Sequence, residues 1–482
     1  MSIPDQLIPQ RTHPIDVVIM AAGKGTRMKS ALPKVLHRLG GRALLGHVVD
    51  CAAQLSARRA VIITGHGAIE VEAACARFQG VAGTFNAQFE MQFARQEPQL
   101  GTGHAVQQAV PLLGDDGVTL ILNGDVPLIQ AETLRKLLQV CAGSKLALLT
   151  LSIADATGYG RVLRALDGAV LGIVEHKDAS FEQRLIREFY TGVMAVPNKL
   201  LKGWLARLTN HNSQQEYYLT DVVAMAVADG VPVVASHPDN EPEVSGVNDP
   251  IQLAALERVY QQRRAMALMT QGVRLADPAR FDVRGSLTCG QDVEIDVNCV
   301  FEGTVTLGNS VRVGANCVIA NCTIAANAVI HPFTHIDGEK LGVEVGEGAL
   351  VGPFARLRPG AQLGAEVHIG NFVEVKNSTL AKGAKANHLA YLGDATVGER
   401  VNIGAGSITA NYDGANKHRT VIEADVHIGS NCVLVAPITI GAGGTVGGGS
   451  TLGKNTEPGG LHVARAKQIS LPNWKRPVKK VD

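Results

Sequence analysis

The segment Ile428–Leu452 reads IGSNCVLVAPITIGAGGTVGGGSTL, and an aliphatic residue returns in it at every sixth position. These positions are Ile428, Leu434, Ile440, Val446 and Leu452. A six-residue period fits neither an α-helix nor a strand of an ordinary sheet, whose side-chain periods are about 3.6 and 2 residues. It is typical of a parallel β-helix, in which each hexad gives a short strand and a turn, and stacked coils bury one aliphatic residue per hexad.

The same period occurs in two earlier stretches of the chain. The repeating positions are Ile295, Phe301, Leu307, Val313 and Ile319 in one, and Val345, Val351, Leu357, Leu363, Ile369 and Val375 in the other. Three stretches with one period favour a parallel β-helix over a glycine-rich β-sandwich or a low-complexity tract. The period is interrupted at residues 337–342, 380–391 and 409–423, where loops that carry function are expected to leave the coil.

Composition sets broad limits on structure and partners. The chain of 482 residues, 46% of them apolar, is long enough for two hydrophobic cores. Its net charge of +1 gives no overall attraction to nucleic acid or membranes, so small molecules are the expected partners. No apolar run is long enough to span a membrane, and residues 1–16 lack the apolar core of a signal peptide, so a cytoplasmic protein is expected. The eight cysteines show no CxxC pair or zinc-site spacing, and reduced, mostly buried thiols are expected.

The N-terminal part begins with an apolar strand, Ile15–Ala21, followed by a glycine-rich turn. Such a turn between a first strand and a helix is a phosphate-binding arrangement. Gly23 and Gly25 would let backbone amides approach a phosphate, and Arg27 and Lys34 would add positive charge. The turn is neither a Walker loop nor a GxGxxG fingerprint.

Strand and helix signals then alternate, which predicts a parallel sheet covered by helices. The predicted strands are 61–64, 118–122, 145–153, 190–196 and 231–236, and the predicted helices are 68–78 and 131–141. Ligands bind at the carboxyl ends of strands in such folds, where the loops Gln96–Gly103 and Asn123–Asp125 are expected. Asp125 there suits magnesium held against a triphosphate. Taken alone, it would as readily be a helix N-cap or a turn residue.

A helix predicted from Ile251 to Gln271 would join the two parts of the chain. The chain is therefore predicted to have three segments: a nucleotide-binding domain at residues 1–250, a linker helix at 251–271 and a repeat domain at 272–482. Residues 456–482 lack the period and end in a basic tail, which is either solvated disorder or a holder of an anionic ligand.

Taken together, these segments resemble a family of bacterial bifunctional enzymes that acetylate glucosamine-1-phosphate and then uridylate the product to UDP-N-acetylglucosamine. The segments that carry the resemblance are Met20–Met28, Leu32–Lys34, Gln99–His104, Gly124–Pro127, Thr157–Arg161, Glu175–Asp178, Lys385–His388, Tyr391–Asp394 and Asn411–Gly414. The resemblance implies a Rossmann-like α/β nucleotidyltransferase domain, a linker helix and a left-handed parallel β-helix of hexapeptide repeats. It also implies a homotrimer with acetyl-CoA sites between subunits, magnesium as cofactor, and UTP and acetyl-CoA as co-substrates.

For the N-terminal half, the resemblance implies a set of uridine-nucleotide and sugar contacts. They are Met20, Ala21, Ala22, Gly23, Lys34, Gln96, Gly101, Thr102, Asn123, Gly124, Asp125, Gly160, Glu175, Tyr190 and Asn248. Arg27 and Lys34 would stabilise the phosphates during transfer, and Asp125 and Asn248 would bind magnesium. Tyr190 stands where the family usually has asparagine, so either its hydroxyl replaces the amide as the sugar contact or the contact moves to a neighbouring residue.

For the C-terminal half, the resemblance implies that His388 is the general base and that Glu374 orients it. A histidine, whose ordinary pKa is about 6.5, can accept a proton at neutral pH, although His388 taken alone would be an ordinary loop residue. The implied sugar-phosphate contacts are Arg358, Lys376, Tyr391 and Asn402. The implied acetyl-CoA contacts are Ala405, Asn411, Tyr412, Ser430, Gly448 and Arg465, with Gly448 where alanine is common.

Two other functions remain open on the sequence. One is a sugar-1-phosphate nucleotidyltransferase whose β-helix serves only for oligomerisation. The other is a non-enzymatic repeat scaffold with an inactive nucleotide-binding domain. His388 and the loop that begins at Asn411 argue against the first, and Arg27, Lys34 and Asp125 argue against the second.

Overall fold

A computed structural model describes residues 13–78, 90–477 and 479. The chain divides into two compact units, residues 1–260 and 261–482. Residues 1–12, to which most of the prediction about a signal peptide applies, lie outside the described part, as do residues 478 and 480–482 of the basic tail. Among the described helices, none is both long and apolar enough to cross a membrane.

Unit 1 is built from one sheet with helices on both faces. Its strands are β1 Ile15–Met20, β2 Arg59–Thr64, β3 Glu90–Arg95, β4 Val118–Asn123, β5 Leu146–Ser152, β6 Arg161–Arg164, β7 Val170–Val174, β8 Glu188–Pro197 and β9 Val233–Ser236, with a small pair at Arg38–Leu39 and Arg42–Ala43. Its helices are α1 Leu44–Ala53, α2 Ala68–Phe78, α3 Thr102–Ala109, α4 Ala131–Cys141, α5 Phe181–Arg184, α6 Asn198–Leu205 and α7 Asp221–Ala228. Helix α8, Pro250–Thr270, contains the boundary between the two units.

The strand order in unit 1 is β9-β5-β8-β4-β1-β2-β3, with β6 and β7 attached beside β8. The central strands run parallel, but β8 lies antiparallel between β5 and β4, so the prediction of a parallel sheet is wrong for that strand. Val17 and Ile19 pack on one face of the sheet and Val18 on the other, and all three are fully buried. Burial on both faces explains why β1 reads as a continuous apolar run.

The register of β1 decides where the ligand loops lie. Met20, the last residue of β1, pairs with Ile63 of β2 and with Asn123 of β4. Thr64, the last residue of β2, pairs with the last residue of β3, which Gln96 follows. The four strands therefore end at one edge of the sheet, and the loops after them meet there.

Unit 2 is a parallel β-helix. One sheet holds strands Arg274–Leu275, Glu294–Ile295, Arg312–Val313, Val329–Ile330, Leu350–Val351, His368–Asn371, Lys385–His388, Asn402–Ile403, His427–Ile428, Thr445–Val446 and Leu461–His462. The other holds Phe281–Cys289, Cys299–Leu307, Val318–Ile324, His335–Asp337, Val343–Val345, Arg356–Leu357, Gln362–Leu363, Glu374–Lys376, Thr379–Leu380, Tyr391–Gly393, Ala395–Val397, Ile408–Ala410, Thr420–Ile422, Val433–Val435, Ile438–Ile440 and Thr451–Leu452. All strand pairs are parallel, because each coil lies on the one before it.

The predicted rungs form the core of unit 2. Every one of the repeating positions is buried, and the most exposed of them, Leu452, is only 8% exposed. Loops leave the coil at residues 338–342 and 411–419, within two of the predicted interruptions. The third interruption, residues 380–391, is wrong: Leu380, Ala386 and Leu392 are buried rungs of an unbroken coil. Leu380 lies five residues after Val375 instead of six, because one turn is shorter by a residue. The six-residue period is shifted there, but no loop leaves the coil.

All eight cysteines are unpaired, and seven are buried, as predicted. Cys289 is the half-buried exception.

Candidate active sites

A cavity of about 480 Å³ opens at the carboxyl ends of β1, β3 and β4. Its walls are Met20, Ala21, Ala22, Gly23, Lys24, Lys34, Val35, Gln96, Gln99, Gly101, Thr102, Ala105, Asn123, Asp125 and Glu216. Ten of these are predicted nucleotide contacts, which the fold has brought together from four separate segments. The cavity has the size expected for a small-molecule ligand.

Side chains on the loop after β3 hold the rim of this cavity in place. The side chain of Gln96 donates to the carbonyl of Gly101 at 2.8 Å. That of Gln99 donates to the carbonyl of Ala22 at 3.3 Å, which ties this loop to the glycine-rich turn. Thr102 Oγ1 accepts the backbone N–H of Leu219 at 3.1 Å. The rim is thus fixed by hydrogen bonds between loops.

The glycine-rich turn closes on Lys34. Gly25 has a φ of 59°, in the left-handed region, and a Cβ placed there would lie 2.6 Å from Cβ of Lys34. Gly23 has open space around it, so Gly25 is the position that sterically requires glycine. Arg27 lies on the exposed side of the following 3₁₀ turn, Thr26–Met28.

Lys34, Asp125 and Asn248 form a polar cluster in unit 1. Lys34 Nζ donates to Asp125 Oδ2, and it also donates to Asn248 Oδ1 at 3.2 Å. The backbone N–H of Val247 donates to the carbonyl of Asp125 at 2.9 Å and joins the two segments that carry the oxygens. The side chains of Lys34 and Asp125 are only 15% and 18% exposed. The predicted metal ligands therefore converge, and an ammonium lies between them.

The predicted sugar contacts lie outside the cavity walls. The carbonyl of Gly160 accepts the N–H of Tyr190 at 2.9 Å, and Glu175 Oε1 accepts the hydroxyl of Thr220 at 2.9 Å. Burial raises the pKa of the Glu175 carboxyl and of the Tyr190 phenol. Tyr190 is 7% exposed, and its hydroxyl has no hydrogen-bond partner among the described residues. A direct contact between Tyr190 and a sugar stays a prediction.

In unit 2, His388 is exposed, and its Nδ1 lies 2.7 Å from Asn371 Oδ1. The two residues are paired on adjacent strands of one sheet. With the amide oxygen facing the ring, Nδ1 carries the proton and Nε2 keeps its lone pair. That is the tautomer that a general base needs.

Glu374 makes different contacts from those that the resemblance implies. It accepts from Arg358 Nη1 at 2.8 Å and from Arg356 Nη1 at 3.4 Å. Among the described hydrogen bonds, none joins Glu374 to His388. The side chain that the structure brings to the histidine is Asn371, and an orienting role for Glu374 stays a prediction.

Unit 2 also holds a group of neighbouring cations. The ammonium of Lys417 is the main reason that the pKa of Lys376 lies below its ordinary value, and Arg358 adds to the effect. Neighbouring ammonium groups repel each other, so the arrangement favours an anion between them. The carboxylate of Asp394 acts in the opposite direction on Lys376. The cluster has the charge expected of a phosphate site.

The loop 411–419 is fixed from within by Asp413. Its carboxylate accepts the N–H groups of Ala415 at 2.9 Å and Asn416 at 2.7 Å, and it lies 2.6 Å from His418 Nε2. These contacts, the backbone bond from Asn416 first, hold the pKa of Asp413 well below its usual range. At the base of the loop, the side-chain amide of Asn411 donates to the buried carboxylate of Asp394.

The remaining acetyl-CoA positions are neighbours near the end of the coil. Arg465 Nη1 donates to the carbonyl of Gly448 at 2.8 Å, and the N–H of Gly449 donates to the carbonyl of Ser430 at 2.8 Å. Ala405 accepts the N–H of Asn431 at 2.7 Å. A Cβ at position 448 would lie 3.3 Å from the Ser430 carbonyl, so glycine and alanine both fit with little adjustment.

Comparison with known proteins covers both units. Residues 17–182 match the MobA-like NTP transferase domain, and residues 342–377 match the bacterial transferase hexapeptide family. The chain is 76% identical over 473 residues to the bifunctional protein GlmU of Polaromonas sp. strain JS666, which covers 97% of this chain and 98% of that protein. It is 55% identical over 465 residues to the bifunctional protein GlmU of Herminiimonas arsenicoxydans, which covers 96% of this chain and 99% of that protein. The chain belongs to the bifunctional GlmU family.

As a member of this family, the chain is a transferase with two activities. It transfers an acetyl group from acetyl-CoA to glucosamine-1-phosphate, and a uridylyl group from UTP to N-acetylglucosamine-1-phosphate with release of pyrophosphate. The product, UDP-N-acetylglucosamine, feeds the synthesis of the cell wall. The single-function nucleotidyltransferase and the inactive scaffold are not favoured, because GlmU relatives match both units.

One solved structure in the same comparisons is a UDP-glucose pyrophosphorylase complexed with UDP-glucose. It is 16% identical, with a TM-score of 0.43, over 52% of this chain and 100% of that chain.

The sequence alone missed Asn371 and Lys417. The signal for Asn371 was present: it lies 17 residues before His388, which is one coil, and residues one coil apart are neighbours in a β-helix. Lys417 lies in an interruption of the repeat, but nothing local links it to Lys376. Gln99, Lys24 and Glu216 were also missed as walls of the nucleotide cavity.

Proposed function

We propose that each unit carries one of the two reactions at its own site. Uridylyl transfer takes place in the cavity of unit 1, and acetyl transfer takes place around His388 in unit 2. The observation that carries this division is that each unit holds a separate reactive cluster: Lys34, Asp125 and Asn248 in one, and His388 with Asn371 in the other. The corresponding domains are residues 1–250 and 272–482, with 251–271 as linker.

In unit 1, an oxygen of the sugar phosphate attacks the α-phosphorus of UTP. A new P–O bond forms, the bond to the β-phosphate oxygen breaks, and pyrophosphate leaves. Gly23, Gly101 and their neighbours bind the nucleotide through backbone groups. Arg27 and Lys34 balance the charge that builds up on the phosphate oxygens, which is the main demand of phosphoryl chemistry.

The residues present fit a magnesium ion. Asp125 and Asn248 offer oxygen ligands that already converge on one cation, the ammonium of Lys34. Within the described residues, no group of three or more His, Cys, Asp or Glu side chains could hold a metal. A site with few protein oxygens suits magnesium, which keeps water and substrate phosphates as its other ligands. Bound there, magnesium would neutralise charge on the triphosphate.

Replacing Glu175 with glutamine should stabilise unit 1 at neutral pH while weakening sugar binding. Burial raises the pKa of Glu175 in the folded state, so the native enzyme loses stability as pH rises through that folded pKa. Glutamine removes the buried charge and can still accept from Thr220. The melting temperature of Glu175→Gln should exceed that of wild type at about pH 7.5, and the difference should vanish at about pH 4.

Thermal melts followed by circular dichroism at the two pH values measure this difference. Glu70→Gln, on an exposed position of α2, is the matched control and should show no such pH dependence. An equal difference between Glu175→Gln and wild type at both pH values would show that the carboxylate charge is not the cause.

In unit 2, the amine of glucosamine-1-phosphate attacks the thioester carbonyl of acetyl-CoA. Nε2 of His388 accepts a proton from the attacking amine, the C–N bond forms, and the C–S bond breaks so that CoA leaves as the thiolate, to which the imidazolium gives the proton. Arg358, Lys376 and Lys417 bind the sugar phosphate, and Tyr391 and Asn402 line the same pocket. Acetyl-CoA contacts the loop that begins at Asn411 and Tyr412, together with Ala405, Ser430, Gly448 and Arg465.

Replacing Lys417 with alanine should raise KM for glucosamine-1-phosphate about tenfold with little change in kcat, because it removes one of the cations around the phosphate. Initial rates of thiol release at varied sugar phosphate measure this effect. Lys382→Ala is the control, since Lys382 lies on the same repeat and pairs with Glu366. A rise in KM for acetyl-CoA alone would place Lys417 at the other substrate.

We infer that the chain forms a homotrimer through unit 2. A column of three phenylalanines supports association between copies. Phe333 stacks on Phe354 with ring centroids 4.9 Å apart, and Phe354 stacks on Phe372 at 5.3 Å. All three side chains are 46% to 57% exposed within one chain, and an apolar column of this kind favours burial against another surface.

The unpaired thiols support a cytoplasmic location.

One assay tests whether the enzyme carries out both reactions. Purified enzyme is given glucosamine-1-phosphate, acetyl-CoA, UTP and magnesium, and free thiol and pyrophosphate are followed separately. Both products should appear, and omitting acetyl-CoA should abolish pyrophosphate unless N-acetylglucosamine-1-phosphate is added. Pyrophosphate release without any thiol release would contradict a catalytic role for unit 2.

A further inference from the structure

The ammonium of Lys34 lies where a cation would be bound. Its Nζ donates to a carboxylate oxygen of Asp125 and to the amide oxygen of Asn248, the latter at 3.2 Å. These oxygens come from the loop after β4 and from the segment just before α8, and the N–H of Val247 fixes the two segments to each other at 2.9 Å from the carbonyl of Asp125. With side chains of Lys34 and Asp125 less than one-fifth exposed, water competes weakly for the contact.

A divalent ion and this ammonium cannot use the same two oxygens. A hard cation such as magnesium binds oxygen at about 2.1 Å, well inside the distance of a hydrogen bond, so an ammonium in contact with both ligands blocks the position. We infer that Lys34 is an internal substitute for the divalent cation, and that the metal displaces it on binding. This inference rests on the proposed role of Asp125 and Asn248 as metal ligands.

Displacement would place the ammonium of Lys34 in the nucleotide cavity, where the reaction needs positive charge. Lys34 is one of the walls of the nucleotide cavity, and its Cβ is held against Gly25 of the glycine-rich turn. The stem therefore stays beside the turn while the ammonium swings into the cavity. Metal entry and delivery of a positive charge to the phosphates are then a single event. Until the metal arrives, Lys34 keeps the Asp125 carboxylate paired rather than partly buried and alone.

This arrangement lowers the apparent affinity of the empty site for metal. A ligand that binds only one of two states has its affinity reduced by the fraction of protein in the competent state. If the contact with Lys34 predominates by about ten to one, removing the ammonium should tighten metal binding about tenfold in the absence of nucleotide.

The test is Mn²⁺ binding to the full-length enzyme without nucleotide, measured as free Mn²⁺ by electron paramagnetic resonance. Lys34→Met keeps the length of the side chain and removes the ammonium, and it should bind Mn²⁺ about tenfold more tightly than wild type. Lys24→Met removes a charge from the wall of the same cavity and should change the affinity less than about threefold. Asp125→Ala should lose the site.

The variants separate the ways in which the inference can fail. If Lys34→Met binds Mn²⁺ no more tightly than wild type while Asp125→Ala loses it, the metal site is correct and the substitution by Lys34 is wrong. If Lys24→Met tightens binding as much as Lys34→Met, the effect is general electrostatics and the inference is overturned. If Asp125→Ala binds like wild type, the proposed metal ligands themselves are wrong.

A reciprocal measurement follows from linkage, because a metal that displaces Lys34 must expose it. Labelling with an amine-directed reagent, read by mass spectrometry, should modify Lys34 faster in the presence of Mn²⁺, while the rate at Lys24 stays the same. Slower or unchanged labelling of Lys34 on Mn²⁺ saturation would overturn the inference.

Discussion

Replacing His388 with alanine should reduce acetyl transfer by about 10²- to 10⁴-fold and leave uridylyl transfer unchanged. Nε2 of His388 is the group available to take the amine proton, because Nδ1 is engaged with Asn371 at 2.7 Å. Without it, the amine would have to lose its proton to water. His388 is exposed, so the fold of the β-helix should survive the change.

Thiol release from acetyl-CoA measures the first activity, and pyrophosphate release from UTP and N-acetylglucosamine-1-phosphate measures the second. His335→Ala is the matched control, since His335 is another exposed histidine on a strand of the same repeat. Acetyl transfer retained in His388→Ala would remove this histidine from the mechanism. A fall in both activities would indicate damage to the whole protein.

The β-helix was predictable because its stability depends on a local rule that repeats. Each hexad buries one aliphatic side chain, so positions such as Ile369 and Val446 are visible in the sequence without any knowledge of contacts. The rule fails where a turn loses a residue. Between Val375 and Leu380 the spacing drops to five, and Ala386 is a rung too small to stand out, so an unbroken coil resembled an insertion.

The nucleotide site was predictable for a different reason. In an α/β sheet, the carboxyl ends of parallel strands meet at one edge, so loops far apart in sequence could be placed together from strand signals alone. The antiparallel direction of β8 could not be read in this way, because a buried strand has the same apolar pattern in either direction.

Contacts between side chains were the least predictable part of both sites. The sequence showed that Tyr190 departs from its family but not that its hydroxyl is buried without a described partner. It placed Lys34 beside phosphates but not on the oxygens of Asp125 and Asn248. These pairings depend on how segments 91 and 214 residues apart pack against each other, which no local pattern records.

Replacing Asp125 with alanine should reduce uridylyl transfer by about 10²- to 10³-fold while acetyl transfer continues at the wild-type rate. The substitution removes a carboxylate that the proposed metal site needs, and it also leaves Lys34 with Asn248 as its remaining described partner in the cluster. Both changes disturb the balance of charge around the triphosphate. This balance is the main requirement of phosphoryl transfer. Pyrophosphate release at saturating magnesium, UTP and N-acetylglucosamine-1-phosphate measures the effect.

Acetyl transfer by the same sample is the internal control for folding, because the proposed sites lie in different units. Asp116→Ala gives a matched control in unit 1: Asp116 is an exposed aspartate that pairs with Arg58 at 2.9 Å and does not line the cavity. A normal rate of uridylyl transfer in Asp125→Ala would exclude this carboxylate from the reaction. Equal loss of both activities in a protein with an unchanged melting temperature would contradict two independent sites, since a carboxylate in unit 1 would then be needed for chemistry assigned to unit 2.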